Sequence, residues 1–168
     1  MFRTYGRKHN VCPFELSIDT SNYSDIILCD YNYVFDPLVH LIRYFEDTTY
    51  SPIILCDEAH NLISRSRGMY SASLISEDFL RIKETSKYLK PNPSSELNQV
   101  LDIFAEASLE LTEVDFIKKE EVNPYLLKVL RKLLMKLDEI FADDKIKFDK
   151  KALREFYFNV NRFLKISD

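Results

Sequence analysis

Five residues at the end of a short apolar run, Cys56-Asp57-Glu58-Ala59-His60, carry the clearest chemistry in the chain. A run such as Ile53-Ile54-Leu55, ending in two acids and opening into helix-compatible residues, is how a Walker B strand delivers its carboxylates. In that pattern Asp57 holds Mg²⁺, usually through water, and Glu58 orients and deprotonates the water that attacks a γ-phosphate. His60 is then placed to report the phosphate state to a neighbouring segment. The plainer alternative is an acid pair opening a helix, where negative charge suits the N-terminal dipole. The partner motif is missing. With Gly6 and Gly68 as its two glycines, the chain contains no Gly-x-x-x-x-Gly-Lys-Ser/Thr phosphate loop. Half of an ATP site can be written, and on this reading the chain by itself hydrolyses nothing.

Three other stretches are candidates for chemistry. Cys12-Pro13 has the form that ends a cysteine run around an iron–sulfur cluster, although one cysteine alone is otherwise a free thiol. The loop Asp30-Tyr31-Asn32-Tyr33-Val34-Phe35-Asp36-Pro37 holds three aromatics, which either stack on bases or fill a joint between elements. Residues 145–165 set Lys145, Lys147, Lys150, Lys151, Arg154, Arg162 and Lys165 against Asp149 and Glu155. Phe148, Phe156, Tyr157, Phe158 and Phe163 are interleaved with them, a pattern that suits a nucleic-acid face. Cys29 and Cys56 fall inside apolar runs and read as small core hydrophobes. His9 and His40 have no metal-ligand spacing and read as solvated.

The elements that must position these residues follow from pattern. Asp25-Ile26-Ile27-Leu28-Cys29-Asp30 and Ile53-Ile54-Leu55-Cys56-Asp57 share five letters, and each is too short and too apolar for a surface helix. Both read as parallel strands covered on two faces. Between them Asp36 caps, Pro37 suits a first helical position, and Leu38, Leu41, Ile42 and Phe45 mark one face of a helix. That is a βαβ unit, with Asp30 and Asp57 at one carboxyl edge. Beyond His60 the pattern is helical. One helix continues over Asn61 to Tyr70 and another runs from Ser76 to about Tyr88. Pro91-Asn92-Pro93-Ser94-Ser95 breaks it and supplies the next cap, before Leu97, Val100, Leu101, Phe104 and Leu111. Asn123-Pro124 opens the strongest helix, with Tyr125, Leu126, Val129, Leu130, Leu133, Leu134, Leu137 and Phe141 on one side. Asp149 caps the last, with Ala152, Leu153, Phe156, Tyr157, Val160, Phe163 and Leu164 turned inward. The predicted fold is an α/β edge over 1–70 joined to an all-helical bundle over 76–168, predominantly helical overall.

Composition bounds the function. At 168 residues, 46% hydrophobic and 13% aromatic, the chain has material for a core and does not read as disordered. A net charge of −4 argues against a general nucleic-acid coat and leaves the 145–165 stretch as a local exception. No apolar run approaches the ~20 residues that cross a bilayer. With no visible secretory signal and an odd three cysteines, the expected compartment is a reducing cytoplasm.

Together these pieces resemble the XPD/DinG family of iron–sulfur, superfamily 2 DNA helicases. The likeness is carried by Cys12-Pro13-Phe14-Glu15-Leu16-Ser17, Cys29 through Pro37, Asp57-Glu58-Ala59-His60-Asn61-Leu62, and Arg65 through Ala72. The resemblance implies that residues 1–24 end a cluster region, 25–70 belong to a RecA-like motor domain, and 71–168 to an Arch-like helical domain. It implies ATP with Mg²⁺ at Asp57 and Glu58, coupling through His60, and Cys12 as the last ligand of a 4Fe-4S cluster in the intact protein. It also implies single-stranded DNA near Phe14, with Tyr31, Tyr33, Lys150, Lys151 and Arg154 as further candidates. The three other cluster cysteines, the phosphate loop and the second motor domain are not in this sequence, so the remainder of the helicase chain is an implied partner. The alternative reading is a non-catalytic helical module that binds DNA or protein.

Overall fold

The strongest helical stripe of the sequence is also the centre of the structure. In the computed structural model, which describes residues 2–46, 51–111, 114–143 and 150–167, α7 spans Pro124–Ala142. Asn123 caps it: its Oδ1 accepts the amides of Tyr125 at 2.9 Å and Leu126 at 3.4 Å, and Pro124 takes the first helical position. Leu126, Val129, Leu130, Leu133, Leu134, Leu137 and Ile140 are buried along one face.

On α7 pack α6 (Ser94–Glu110) and α8 (Lys150–Ser167), and α5 (Ser76–Thr85) lies against those two. Phe79 of α5 joins them. It is 1% exposed, and its ring meets Phe104 edge-on at 5.5 Å and Phe156 at 4.9 Å. The Pro-Asn-Pro break lies where α6 begins, but the N-cap position is Pro93, whose side chain caps nothing; Asn92, one residue earlier, accepts the Ser94 amide at 2.8 Å through Oδ1. Lys136 of α7 donates to Glu96 at 2.7 Å and to the Asn92 carbonyl at 3.2 Å, tying that turn to the central helix. Tyr125, expected on the inner face, is exposed and hydrogen-bonds Gln99 at 2.9 Å instead.

The N-terminal stretch is built differently. Helices α1 (Phe2–His9) and α2 (Pro13–Ser21) form a hairpin. It closes on Gly6, whose carbonyl accepts the Val11 amide at 3.1 Å. A Cβ there would stand 2.7 Å from the Val11 carbonyl oxygen, so the close approach requires glycine. A single turn, α3 (Asn32–Phe35), follows, then a 3₁₀ turn over Ile42–Tyr44, a second over Ala59–Asn61, and α4 (Leu62–Met69).

The expected βαβ unit is not there. Among the described residues no strand forms, and no backbone hydrogen bond joins 25–29 to 51–56. Two short parallel strands leave their outer amides and carbonyls unpaired, and a sheet of two is marginal in water. Leu28 and Leu55 are 95% and 92% exposed, so the apolar runs lack the cover that would make them strands. The helix expected from Asp36 is a turn: Asp36, buried, accepts the Leu38 amide at 2.8 Å through Oδ1. Cys29 and Cys56 are correspondingly not core residues; the first is exposed and the second half-buried. The expected cap Asp149, with Lys145, Lys147 and Phe148, lies outside the described residues, as does the side chain of Lys150. No described helix is long and apolar enough to cross a membrane.

Candidate functional site

The acid pair sits on a strained turn at the head of α4. Glu58 adopts the left-handed conformation, φ 50° and ψ 38°, which costs a residue with a Cβ about 1–3 kcal/mol and persists where its surroundings enforce it. Those surroundings are visible. Asp57 Oδ1 accepts the Glu58 amide at 2.9 Å, the Glu58 carbonyl accepts the Asn61 amide at 2.9 Å, and the Glu58 carboxylate pairs with His60 Nδ1 at 3.2 Å. The turn thus groups Asp57, Glu58 and His60, and leaves all three exposed.

The aromatic loop reaches the same place. Asp30 Oδ1 accepts the Asn32 amide at 3.1 Å and starts α3. One residue earlier, the Tyr31 hydroxyl donates to the Asp57 carbonyl. Burial raises the Tyr31 phenol pKa, negative charge on Cys56, Asp57 and Glu58 raises it further, and Arg65 of α4 opposes them. Residues 25–31 and 51–58 wall a cavity of about 1120 Å³, with Asp57, Glu58, Tyr31, Asn61 and Arg65 among its lining. Tyr33 lines this cavity and also a second, of about 700 Å³, together with Phe14. The Phe14 and Tyr33 rings stand 6.4 Å apart. Of the sequence-predicted aromatics, Tyr31 therefore touches the acid-pair turn and Tyr33 shares its cavity, while Phe14 lines the second cavity, which the acids do not border.

The remaining candidates are elsewhere. Cys12 is exposed at the head of α2, immediately before Pro13. Among the described residues no group of three or more His, Cys, Asp or Glu is placed to hold a metal ion. The thiols present therefore do not fit an iron–sulfur cluster. A divalent cation at Asp57 and Glu58 would take its other oxygens from water and a bound phosphate, which is how Mg²⁺ is commonly held. Arg154 is exposed on α8, as is Lys151, which has a partner of its own. The aromatics interleaved with them are mostly committed to packing. Phe156 is core, Tyr157 meets Phe141 edge-on at 5.6 Å, and Phe163 packs on the bundle, leaving Phe158 exposed. Arg65, quoted from the sequence for the family likeness but given no role there, also lines the acid-pair cavity, one turn into α4.

The DEAD_2 family model matches residues 1–79, the stretch that contains Cys12, Tyr31 and the acid pair. The regulator of telomere elongation helicase 1 homolog of Caenorhabditis briggsae is 31% identical over 155 residues, covering 87% of this chain. The chain belongs to the XPD family of superfamily 2 helicases. The Caenorhabditis elegans homolog is 30% identical over the same length. The helicase subunit XPD of general transcription and DNA repair factor IIH from Dictyostelium discoideum is 35% identical over 60 residues, 36% of this chain and 8% of its own length. The chain spans 15% of the length of either Caenorhabditis relative. The similarity to these two runs past the family model into the helical bundle. No solved structure matches the chain.

Proposed function

We propose that this XPD-family segment contributes the acid-pair half of an ATP site to a DNA helicase of 5′→3′ polarity. The observation that carries the reading is the turn at the head of α4. It presents Asp57 and Glu58 at the rim of the large cavity and ties them to Tyr31. In this reading Asp57 holds Mg²⁺ on the phosphates, Glu58 takes a proton from the attacking water, and His60, paired to Glu58, passes the change onward. Residues 25–70 belong to the first motor domain. Their exposed apolar runs, including Ile26, Leu28, Ile53 and Leu55, are surface for the rest of the longer protein to cover. Residues 1–24 close the cluster region, with Cys12 a cluster ligand in the longer protein, and 71–168 form part of the Arch-like domain. Single-stranded DNA runs past Phe14 and Tyr33.

ATP turnover by the 168-residue chain with Mg²⁺ tests the incompleteness of the site. None is expected, because no phosphate loop or second motor domain supplies donors. Turnover that is abolished by Glu58→Gln would overturn the incompleteness of the site, not the role given to Glu58. The alternative of a non-catalytic nucleic-acid module draws less support, since the α8 aromatics other than Phe158 are spent on packing.

A further inference from the structure

The helix that starts after the acid pair ends on an arginine more than ninety residues away in sequence. The last carbonyls of an α-helix have no partner within it and must find one. At the end of α4 some are met locally: the Tyr70 amide donates to Ser66 at 2.9 Å, the Ser71 amide reaches the Gly68 carbonyl at a long 3.4 Å, and the Ser71 hydroxyl donates to the Arg67 carbonyl. The Gly68 and Met69 carbonyls, with that of Ser71 just beyond, are taken by Arg162 of α8. Its guanidinium donates to Gly68 at 2.6 Å, to Ser71 at 3.1 Å and to Met69 at 3.3 Å. A fixed planar fork can serve several carbonyls at once, and a positive charge at a helix C-terminus is favoured by the dipole. Met69 is buried at this junction, and Leu74 just beyond packs on the bundle core.

α4 is a short rod, about 12 Å for eight residues. Its first turn is continuous with Ala59–Asn61 and the strained Glu58; its last is held by Arg162. The bundle therefore grips one end of the element whose other end carries the acids. We propose that Arg162 is a positioning residue that locks the direction of α4, and with it the acid-pair turn, onto the helical bundle. The meaning of that lock as a link between ATP chemistry and Arch-like movement rests on the proposed function; the lock itself does not.

The test is the orientation of α4, read from amide residual dipolar couplings of the whole chain. In the wild type, couplings from α4 and α7 fit one alignment frame. In Arg162→Ala, α4 requires its own frame, with couplings reduced about twofold or more by motion, while α7 couplings and bundle melting are retained. Arg162→Lys, a point charge without the fork, falls between the two. Three results would each overturn the proposal: α4 and α7 sharing one frame in Arg162→Ala, two frames already in the wild type, or loss of the bundle fold in Arg162→Ala. The last would make Arg162 a general support of the bundle. The experiment needs neither ATP nor DNA, so its failure leaves the reading of Asp57 and Glu58 standing, and the reverse also holds.

Discussion

Replacing Phe79 with alanine separates the two ways this chain is built. Phe79 is 1% exposed and bridges α5 to α6 and α8 through two edge-on ring contacts, at 5.5 and 4.9 Å. Truncating a buried phenylalanine costs about 3–5 kcal/mol, from lost transfer energy and the cavity left behind. The upper half of that range is expected, because two aromatic pairs are lost and each is worth roughly 0.5–1.5 kcal/mol beyond its area. A helical unit of roughly 90 residues has about 5–13 kcal/mol in total, so the variant loses a large share of it. Ile53→Ser is the contrast. Ile53 is 90% exposed, so the change is expected within about 0.5 kcal/mol. Urea unfolding followed by far-ultraviolet circular dichroism reads both. A cost below about 1 kcal/mol for Phe79→Ala, or equal costs for the two variants, would refute the assignment of the core to the bundle.

Other expectations follow from single contacts. Asn123→Ala removes the side-chain acceptor of two amides and should cost about 1 kcal/mol in the same assay. Gly6→Ala places a methyl 2.7 Å from the Val11 carbonyl oxygen, so amides of α1 and α2 should exchange faster with the bundle amides unchanged. Partial burial first, and then the charge on Asp30, raise the Cys29 thiol pKa. Thiolate is the reactive form, so Cys29 alkylation should rise with pH through a midpoint above that of an ordinary cysteine peptide. A midpoint at or below the ordinary value would remove that electrostatic description of the loop.

The helical half was legible because helices are local. The Asn123-Pro124 start, the Leu126 to Leu137 stripe and the Phe156 and Val160 face are properties of nearby residues, and each is where its spacing placed it. Ile140 was passed over only because the expected stripe moved on to Phe141. The strands were misread for the opposite reason. Ile26-Ile27-Leu28 and Ile53-Ile54-Leu55 have the composition of covered strands, but a ladder needs partners distant in sequence, and these residues pair with none. The acid pair was singled out from its letters; its left-handed turn was not, since a φ of 50° is uncommon for a residue with a Cβ and the side chain of Glu58 carries no signal for it. The clamp by Arg162 was hidden within a basic stretch. Charge counting groups it with Lys151 and Arg154, although its guanidinium faces protein carbonyls.

The central claim is that Glu58 acts on the water that cleaves ATP. Its most direct test is nucleotide binding and hydrolysis by the longer protein that contains this segment, with Glu58→Gln. ATP binding should be retained within about threefold while DNA-stimulated hydrolysis falls about a hundredfold or more, since a general base contributes on that scale. Hydrolysis within a few-fold of wild type would contradict the claim.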